Sequence, residues 1–102
     1  MAAGLPPLEQ IRAAEARAVG ASQTVRAIRR GRAVLVVVAR DADRRVTEPV
    51  SRVAQDLGIP LVEVDSMREL GRACGIAVGA AAAAVLSGPG PDSLNRGSPL
   101  ST

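Results

Sequence analysis

One stretch limits the possible folds more than any other. Residues 33–39, AVLVVVA, form an unbroken run of aliphatic and mostly β-branched side chains. A strand with one face in solvent alternates apolar and polar residues, and this run does not alternate. The run therefore predicts a strand that is covered on both faces, and hence helices on both sides of a sheet.

Helical patterns surround this strand. Residues 7–19 open with a proline and carry apolar side chains at helical spacing, although their last few residues equally fit a short strand. Residues 22–31 predict a second helix, with Ser22 as its N-cap and Gly31 just beyond its end. Two helical patterns therefore precede the strand, and helix and strand alternate from there on.

The alternation continues beyond the central run. Residues 46–58 predict a third helix, capped by Thr47 so that Pro49 falls in its first turn, where a missing N–H has no cost. Residues 59–64 predict a second, shorter strand. This order is typical of an α/β protein.

The last two elements are a helix and an alanine-rich run. Ser66 and Glu69 have the spacing of a capping box and begin a fourth helix, whose apolar stripe turns a lone Cys74 towards the core. Alanine favours helix, but the run AAAAAVL at 80–86 is short and bounded by glycines, so it predicts a strand packed too closely for larger side chains. The sequence thus predicts an α/β/α sandwich in residues 1–86, followed by a disordered Pro/Gly/Ser-rich tail, 87–102.

The composition limits the possible chemistry. The chain of 102 residues has no aromatic residue, no histidine and no lysine, and all thirteen basic residues are arginine. Without histidine the commonest general base and metal ligand is missing, so we predict no metal, no cofactor and no enzymatic activity. Catalysis by Cys74 stays a minor alternative, because no base is available beside it.

The charge is unevenly distributed. Residues 1–40 carry seven arginines against two glutamates, residues 41–65 carry six acids against three arginines, and no acid lies between Arg17 and Arg40. Such a block is a candidate footprint for a polyanion. The alternative is a solvated face that the acidic middle of the chain balances in three dimensions.

The chain shows no pattern for export or for a membrane. Its first residues lack the apolar segment of a signal peptide, and no stretch reaches the roughly 18 apolar residues of a membrane span. A single cysteine is typical of a reducing compartment. We therefore expect a soluble cytoplasmic protein without membrane contact.

The start of the second helix is the first candidate site. Gly20, Ser22, Gln23 and Thr24 combine free backbone N–H groups with short polar side chains, and a helix N-terminus attracts phosphates. Three arginines follow on the opposite face from the apolar one: Arg26, Arg29 and Arg30. Glutamine and arginine can both contact base edges. An ordinary capped surface helix is the alternative.

Three stretches together resemble the ribosomal protein L-seven-Ae family of kink-turn RNA-binding proteins, especially its small bacterial members. They are GASQTVRAIRRG (20–31), VLVVVARDAD (34–43) and LGIPLVEVDSMRELGRACGIAVGAAAAAVL (57–86), in this order. The resemblance implies a three-layer α/β/α sandwich around a mixed, roughly four-stranded sheet. It also implies a monomer that binds a kink-turn, an RNA motif in which a bulge beside sheared G·A pairs bends two stems. The implied target is an rRNA, a riboswitch or another structured RNA, and the ribosome is a further candidate partner.

The resemblance also implies where RNA binds. The second helix supplies Gly20, Ser22, Gln23, Thr24 and Arg26. The loop after the fourth helix covers the bulged nucleotides with Gly75, Ile76, Ala77, Val78 and Gly79, and Asp43 matches an acid near the RNA. Ser22 and Gln23 stand where archaeal and eukaryotic members have Asn-Glu. A protein-interaction module, whose apolar loop 75–79 binds a ribosomal or other protein, is the alternative function.

Overall fold

The computed structural model describes residues 4–87, which form four helices and four strands. They are α1 (Pro7–Ala13), β1 (Arg17–Val19), α2 (Ala21–Arg29), β2 (Ala33–Ala39), α3 (Arg44–Asp56), β3 (Leu61–Val64), α4 (Met67–Ala73) and β4 (Ala82–Leu86). α1 ends at Ala13. The last residues of the segment 7–19 form the short strand β1, as the alternative prediction had it. The predicted tail lies outside the described residues, apart from Ser87.

The four strands form one mixed sheet in the order β1-β4-β2-β3. β2 and β3 are parallel and are joined through α3, whereas β4 runs antiparallel to both of its neighbours, β1 and β2. The last strand of the chain is therefore inserted near the centre of the sheet. Ala82, Ala83 and Ala84 are fully buried there, which confirms the prediction of a close-packed alanine strand.

Helices cover both faces of the sheet and confirm the three-layer architecture. Val36 and Val38 point towards α2 and α3, where they pack with Ile28, Val50 and Ala54. The alternate residues of β2 point to the other face and pack against α1 and α4: Leu35, Val37 and Ala39. Because successive side chains of a strand face opposite sides, two apolar layers require the unbroken run seen in the sequence.

The start of α2 differs from the prediction. The N-cap is Gly20, not Ser22, and no side chain caps this end of the helix. The chain passes directly from β1 into α2, so the helix begins as soon as the strand ends. The other end confirms the prediction: Gly31 has φ of 73°, and the N–H of Arg32 donates to the Ala27 carbonyl oxygen at 3.0 Å.

The start of α3 also differs from the prediction. The helix begins at Arg44, and its cap is Asp43, whose Oδ1 accepts from the Arg45 N–H at 2.9 Å; Thr47 is not the cap. Pro49 therefore lies inside the helix, where it removes one N–H donor. The sequence concealed this turn because its exposed residues carry no apolar periodicity.

The start of α4 follows the prediction. Ser66 Oγ accepts from the Glu69 N–H at 3.1 Å, as in a capping box. Leu70 and Cys74 are buried and Met67 is half-buried, so the apolar stripe does face the core. No helix among residues 4–87 has the length and apolar character needed to cross a membrane.

Candidate functional site

The N-terminus of α2 presents backbone donors to solvent. Gly20 has φ of 95° and ψ of 155°, a region that is essentially restricted to glycine. Its own N–H donates to the Ala82 carbonyl oxygen at 2.8 Å, and its carbonyl oxygen accepts from the Thr24 N–H at 2.9 Å. Three N–H groups of the first turn have no partner among residues 4–87: those of Ala21, Ser22 and Gln23.

The polar side chains of this turn do not all face the same way. Ser22, Gln23 and Arg26 are exposed, whereas Thr24 is fully buried and its Oγ1 has no hydrogen-bond partner within the described residues. The expectation that Thr24 adds a third polar side chain to this surface is therefore wrong. Its position in the helix puts it on the inward face with Ile28.

The loop 75–79 leaves α4 through a left-handed residue. Gly75 has φ of 80°, which glycine adopts without steric cost. Its N–H donates to the Arg72 carbonyl oxygen, and the N–H of Ile76 donates to that of Gly71, both at 3.0 Å. These two bonds close the end of the helix and define the direction in which the loop starts.

The loop then returns against the first turn of α4. The Ala80 N–H donates to the Met67 carbonyl oxygen at 3.0 Å. A Cβ on Gly79 would lie 3.0 Å from the Cβ of Met67, and a Cβ on Gly71 would collide with the Val78 carbonyl oxygen. Packing of the loop on its own helix therefore requires glycine at position 71, and a side chain at position 79 would require Met67 to shift.

The surface of this loop is apolar and uncharged. Val78 is 70% exposed and Ile76 is 37% exposed. All five residues from 75 to 79 are exposed, and none of them carries a charge. The loop can therefore bind a ligand by apolar and backbone contacts only.

The fold brings α2 and this loop to the same end of the sheet. The bond from Gly20 to Ala82 holds the start of α2 beside the strand that follows the loop. Nη2 of Arg17, in β1, lies 3.8 Å from the position that a Cβ on Gly75 would occupy, and its Nη1 donates to the Ile11 carbonyl oxygen at 2.9 Å. The start of α2 is thus bonded to the first residue of the strand that the loop enters, and β1 contacts the first residue of the loop, although these segments are far apart in the chain.

Asp43 lies at the start of α3 and is already engaged. Its Oδ2 is 3.0 Å from Nη2 of Arg45. The side-chain hydrogen bond from Arg45, followed by the bond from the Arg45 N–H, lowers the pKa of the exposed Asp43 carboxyl group. Val46, one turn further along α3, shares a shallow apolar groove with Ser22 and Val25, so Asp43 lies near the start of α2.

The remaining predicted arginines lie at the far end of α2. Arg29 is the last helical residue and Arg30 is the C-cap, and both are exposed. At 1.5 Å per residue, they are about 14–15 Å from Gly20 along the helix axis. They therefore extend the basic surface along the helix and do not belong to its N-terminus.

Arg17 and Arg32 were not among the predicted site residues. Both border a groove beside α2, together with Gln23, Arg26 and Arg30. The acid-free block from Arg17 to Arg40 contains them, but no local pattern in the sequence separates them from the other arginines. Arg32 lies just after the end of α2, where its N–H donates to the Ala27 carbonyl oxygen, whereas Arg17 reaches the groove from β1.

Cys74 belongs to the core. It is 6% exposed, and burial raises the pKa of its thiol, an effect that the nearby charge of Arg17 only partly opposes. A neutral buried thiol is a poor nucleophile, which supports its interpretation as a packing residue. Among residues 4–87, no group of three histidine, cysteine or acidic side chains is arranged to hold a metal ion.

Comparison with known proteins assigns the family. The model of the Ribosomal protein L7Ae/L30e/S12e/Gadd45 family matches residues 5–94. A protein of Bacillus pumilus (strain SAFR-032) named "RNA-binding protein" is 44% identical over 78 residues, which are 76% of this chain and 95% of that protein. The large ribosomal subunit protein eL8 of Haloquadratum walsbyi is 39% identical over 75 residues, 72% of this chain and 62% of that one.

A solved structure shares the same fold. The 15.5kD RNA binding protein of Giardia lamblia superimposes with a TM-score of 0.71 at 29% sequence identity, over 79% of this chain and 68% of that chain. The sandwich, the sheet and the family match over residues 5–94 agree with one another. The chain is a member of the ribosomal protein L7Ae/L30e/S12e/Gadd45 family.

Proposed function

We propose that this protein is a non-enzymatic, monomeric RNA-binding protein that recognises kink-turns in ribosomal or other structured RNA and stabilises their bent form. One observation carries the proposal: the uncapped start of α2 lies at the same end of the sheet as the apolar loop 75–79. The RNA-binding relative, the ribosomal relative and the RNA-binding structural neighbour support RNA as the ligand.

The start of α2 has the chemistry to bind the irregular part of such an RNA. Three backbone N–H groups at the positive end of a helix can donate to phosphate or base oxygens. The exposed amide of Gln23 can donate and accept at once, as a base edge requires. Ser22 adds a hydroxyl, and the buried Thr24 contributes by packing this turn onto the sheet.

The loop 75–79 has the chemistry to cover an unstacked nucleotide. Val78 and Ile76 offer apolar surface, and no aromatic residue exists in the chain to supply a stacking platform. Recognition by shape and by irregular bases suits such a surface better than recognition of a regular duplex. Asp43, near the start of α2, is an additional predicted contact.

The arginines of α2 supply general attraction for the phosphate backbone. Arg26, Arg29 and Arg30 are exposed, and within the described part of the chain none of them has a carboxylate within 4.0 Å. Each arginine that contacts a phosphate makes the affinity more dependent on salt. The proposal therefore requires binding that weakens as salt increases.

Gel-shift titration with a kink-turn RNA and with a straight duplex of the same length tests the proposal. Gln23→Ala removes contacts to a base edge, which are worth about 1–3 kcal/mol, so the affinity for the kink-turn should fall about tenfold to hundredfold. Gln55→Ala, an exposed glutamine on α3, is the matched control and should bind as the original protein does. Equal affinity of the two variants would reject this site.

The exposed apolar loop favours one alternative, a module that binds another protein through residues 75–79. Fluorescence transfer between labels at the two ends of a kink-turn RNA separates the two functions, because it reports bending. Increasing transfer as protein is added supports the RNA function. Weak and equal binding to bent and straight RNA, without a change in transfer, supports the protein-binding function.

A further inference from the structure

The outer edge of β1 is open within the described structure. β1 pairs with β4, and no strand among residues 4–87 lies on its other side. The N–H of Gly20 donates to Ala82 at 2.8 Å and the N–H of Leu86 donates to Ala16 at 3.0 Å, so the even-numbered residues of this segment face β4. The backbone N–H and C=O groups of the two odd-numbered residues point outward: those of Arg17 and Val19.

A basic groove runs beside this edge. Its volume is about 320 Å³, and its apolar part consists of Ala18, Ala27 and Leu86. The polar residues that line it are Arg17, Gln23, Arg26, Arg30 and Arg32, and no acidic residue lines it. An extended ligand beside β1 would therefore meet several positive charges along α2.

These charges are available to a ligand. Among residues 4–87, no carboxylate lies within 4.0 Å of Arg26, Arg30 or Arg32. Nη2 of Arg32 donates to the carbonyl oxygen of Ser87 at 2.7 Å, a bond to a neutral group that leaves the charge of the guanidinium uncompensated. The groove is complementary to an anion.

We propose that this edge binds an extended acidic segment of a partner protein, which adds a strand beside β1 and directs alternate carboxylates at Arg26 and Arg30. An added strand uses backbone donors and acceptors together, and both point outward at this edge. Phosphates accept hydrogen bonds but do not donate them, so phosphate contacts alone would not pair the outward carbonyl groups, whereas a peptide backbone pairs them together with the N–H groups.

The spacing of the two arginines supports a strand with alternating acids. Four residues along a helix separate Arg26 from Arg30 by about 6 Å. Alternate side chains on one face of a strand are about 6.6–6.8 Å apart. Because successive side chains of the added strand point to opposite faces, every second residue should be acidic and the others can be apolar.

This inference does not depend on the proposed RNA function, but the two share Arg26. Peptide and RNA should therefore compete for the protein if both bind. Each ligand is therefore tested alone. If the peptide does not bind, the proposed RNA function still stands, and if the RNA does not bind, the peptide proposal still stands.

Amide hydrogen exchange of the full chain tests the added strand. The probe is a soluble peptide of alternating glutamate and valine, and the control is the same peptide with lysine in place of glutamate. The glutamate peptide should slow exchange at Arg17 and Val19 and leave Ala18, which already faces β4, unchanged. Unchanged exchange at both outward amides overturns the proposal, as does protection by a kink-turn RNA but not by the peptide.

A pair of charge reversals on α2 provides a matched test by fluorescence anisotropy of the labelled peptide. Arg30→Glu places a like charge in the groove and should weaken binding about tenfold, which corresponds to about 1.4 kcal/mol. Arg29→Glu changes the same charge on the same helix but outside the groove, and should change binding less than about threefold. Equal weakening by both variants would indicate general charge attraction and would overturn the proposal.

A third variant removes one outward donor. Val19→Pro deletes the Val19 N–H without breaking the bonds between β1 and β4, since proline is tolerated on the free side of an edge strand. It should abolish the protection of Arg17 by the peptide while circular dichroism stays unchanged. A folded variant that binds the peptide with full affinity would contradict strand addition. If this variant does not fold, the two arginine variants still distinguish binding in the groove from general attraction.

Discussion

The two edges of the sheet use arginine in opposite ways. Beside β3, Nε of Arg40 lies 3.5 Å from Oε1 of Glu63, and its Nη1 lies 3.2 Å from Oδ1 of Asp65. Its charge is therefore compensated locally. Beside β1 and along α2, Arg26 and Arg30 have no carboxylate within 4.0 Å in the described part of the chain. Among residues 4–87, arginines without a carboxylate within 4.0 Å are most numerous along β1 and α2. Some arginines elsewhere in this range also have none: Arg44, Arg68 and Arg72.

This difference decides between two interpretations of the charge pattern. The acidic middle of the chain pairs with arginines of its own neighbourhood: Arg45 with Asp43 at 3.0 Å and Arg52 with Glu48 at 3.6 Å. It does not balance the arginines of α2. The acid-free block in the sequence, apart from Arg40 at its end, thus keeps its positive charge without local compensation among residues 4–87.

The largest expected effect is the loss of stability when a glycine with positive φ is replaced, and it should differ between Gly20, after β1, and Gly58, before β3. Gly20→Ala forces alanine into a conformation restricted to glycine and should lower the free energy of unfolding by about 3 kcal/mol. Gly58→Ala, after α3, meets only a left-handed conformation with φ of 71° and should cost about 1 kcal/mol. Neither Cβ would meet an atom within 4 Å, so urea unfolding of the two variants reports backbone strain alone. Equal losses of unfolding free energy in the two variants would contradict the expected difference in backbone strain.

The next largest effect is on RNA affinity and its salt dependence, measured for one arginine variant from each edge. Arg26→Gln should weaken binding to a kink-turn RNA and reduce the dependence of log affinity on log salt by about one unit. Arg40→Gln removes a charge that is already compensated and should leave this slope unchanged. Titration at several salt concentrations measures both slopes. A similar decrease in the two variants would mean that RNA does not distinguish the edges.

A smaller effect concerns the pH dependence of stability. The pKa of Asp43 is lowered in the folded state, so its charge stabilises the fold above the ordinary aspartate pKa, and this contribution is lost as pH falls through the lowered value. Asp43→Asn should therefore be less stable than the original protein at pH 7. The gap between their urea midpoints should close in acid. A gap of constant size would show that the charge is not responsible.

The smallest effect is expected from the exposed pair between Arg52 and Glu48 on α3. Its atoms are 3.6 Å apart, and both side chains are largely exposed. Exposed pairs on one helix contribute about 0.3–0.5 kcal/mol, so Arg52→Ala should change the free energy of unfolding by less than about 1 kcal/mol. It should not change RNA affinity. A clear loss of RNA affinity would extend the RNA interface to this edge.

Local patterns predicted most of the elements, and exposed turns account for the errors. The apolar run of β2, the alanine run of β4 and the capping box of α4 each depend on residues close together in sequence. The first turn of α3 is not predicted because its residues are mostly exposed and polar, and Val46 alone gives no apolar periodicity. Ser22 was mistaken for a cap because the sequence does not reveal that β1 leads directly into α2.

The same division applies to the candidate site. Residues 20–26 were predicted from local patterns and the loop 75–79 from the family resemblance. Neither showed that Thr24 is buried or that Arg17 and Arg32 border the groove beside α2. Whether a helical side chain is buried depends on which face of the helix packs against another element. The partner of α2 is a sheet whose nearest strands come from both ends of the chain.

The sequence by itself determined most of the helices and strands, the helices on both faces of the sheet, and the end of α2 at Gly31. These properties depend on side chains within one or two turns of each other. The sequence left open whether the residues just before Gly20 form a helix or a strand. Only the tertiary structure decided that β4 enters the middle of the sheet, that Ala82 holds Gly20 beside the apolar loop, and which arginines find a carboxylate. Those outcomes depend on contacts between residues far apart in the chain, and local sequence patterns carry no information about such contacts.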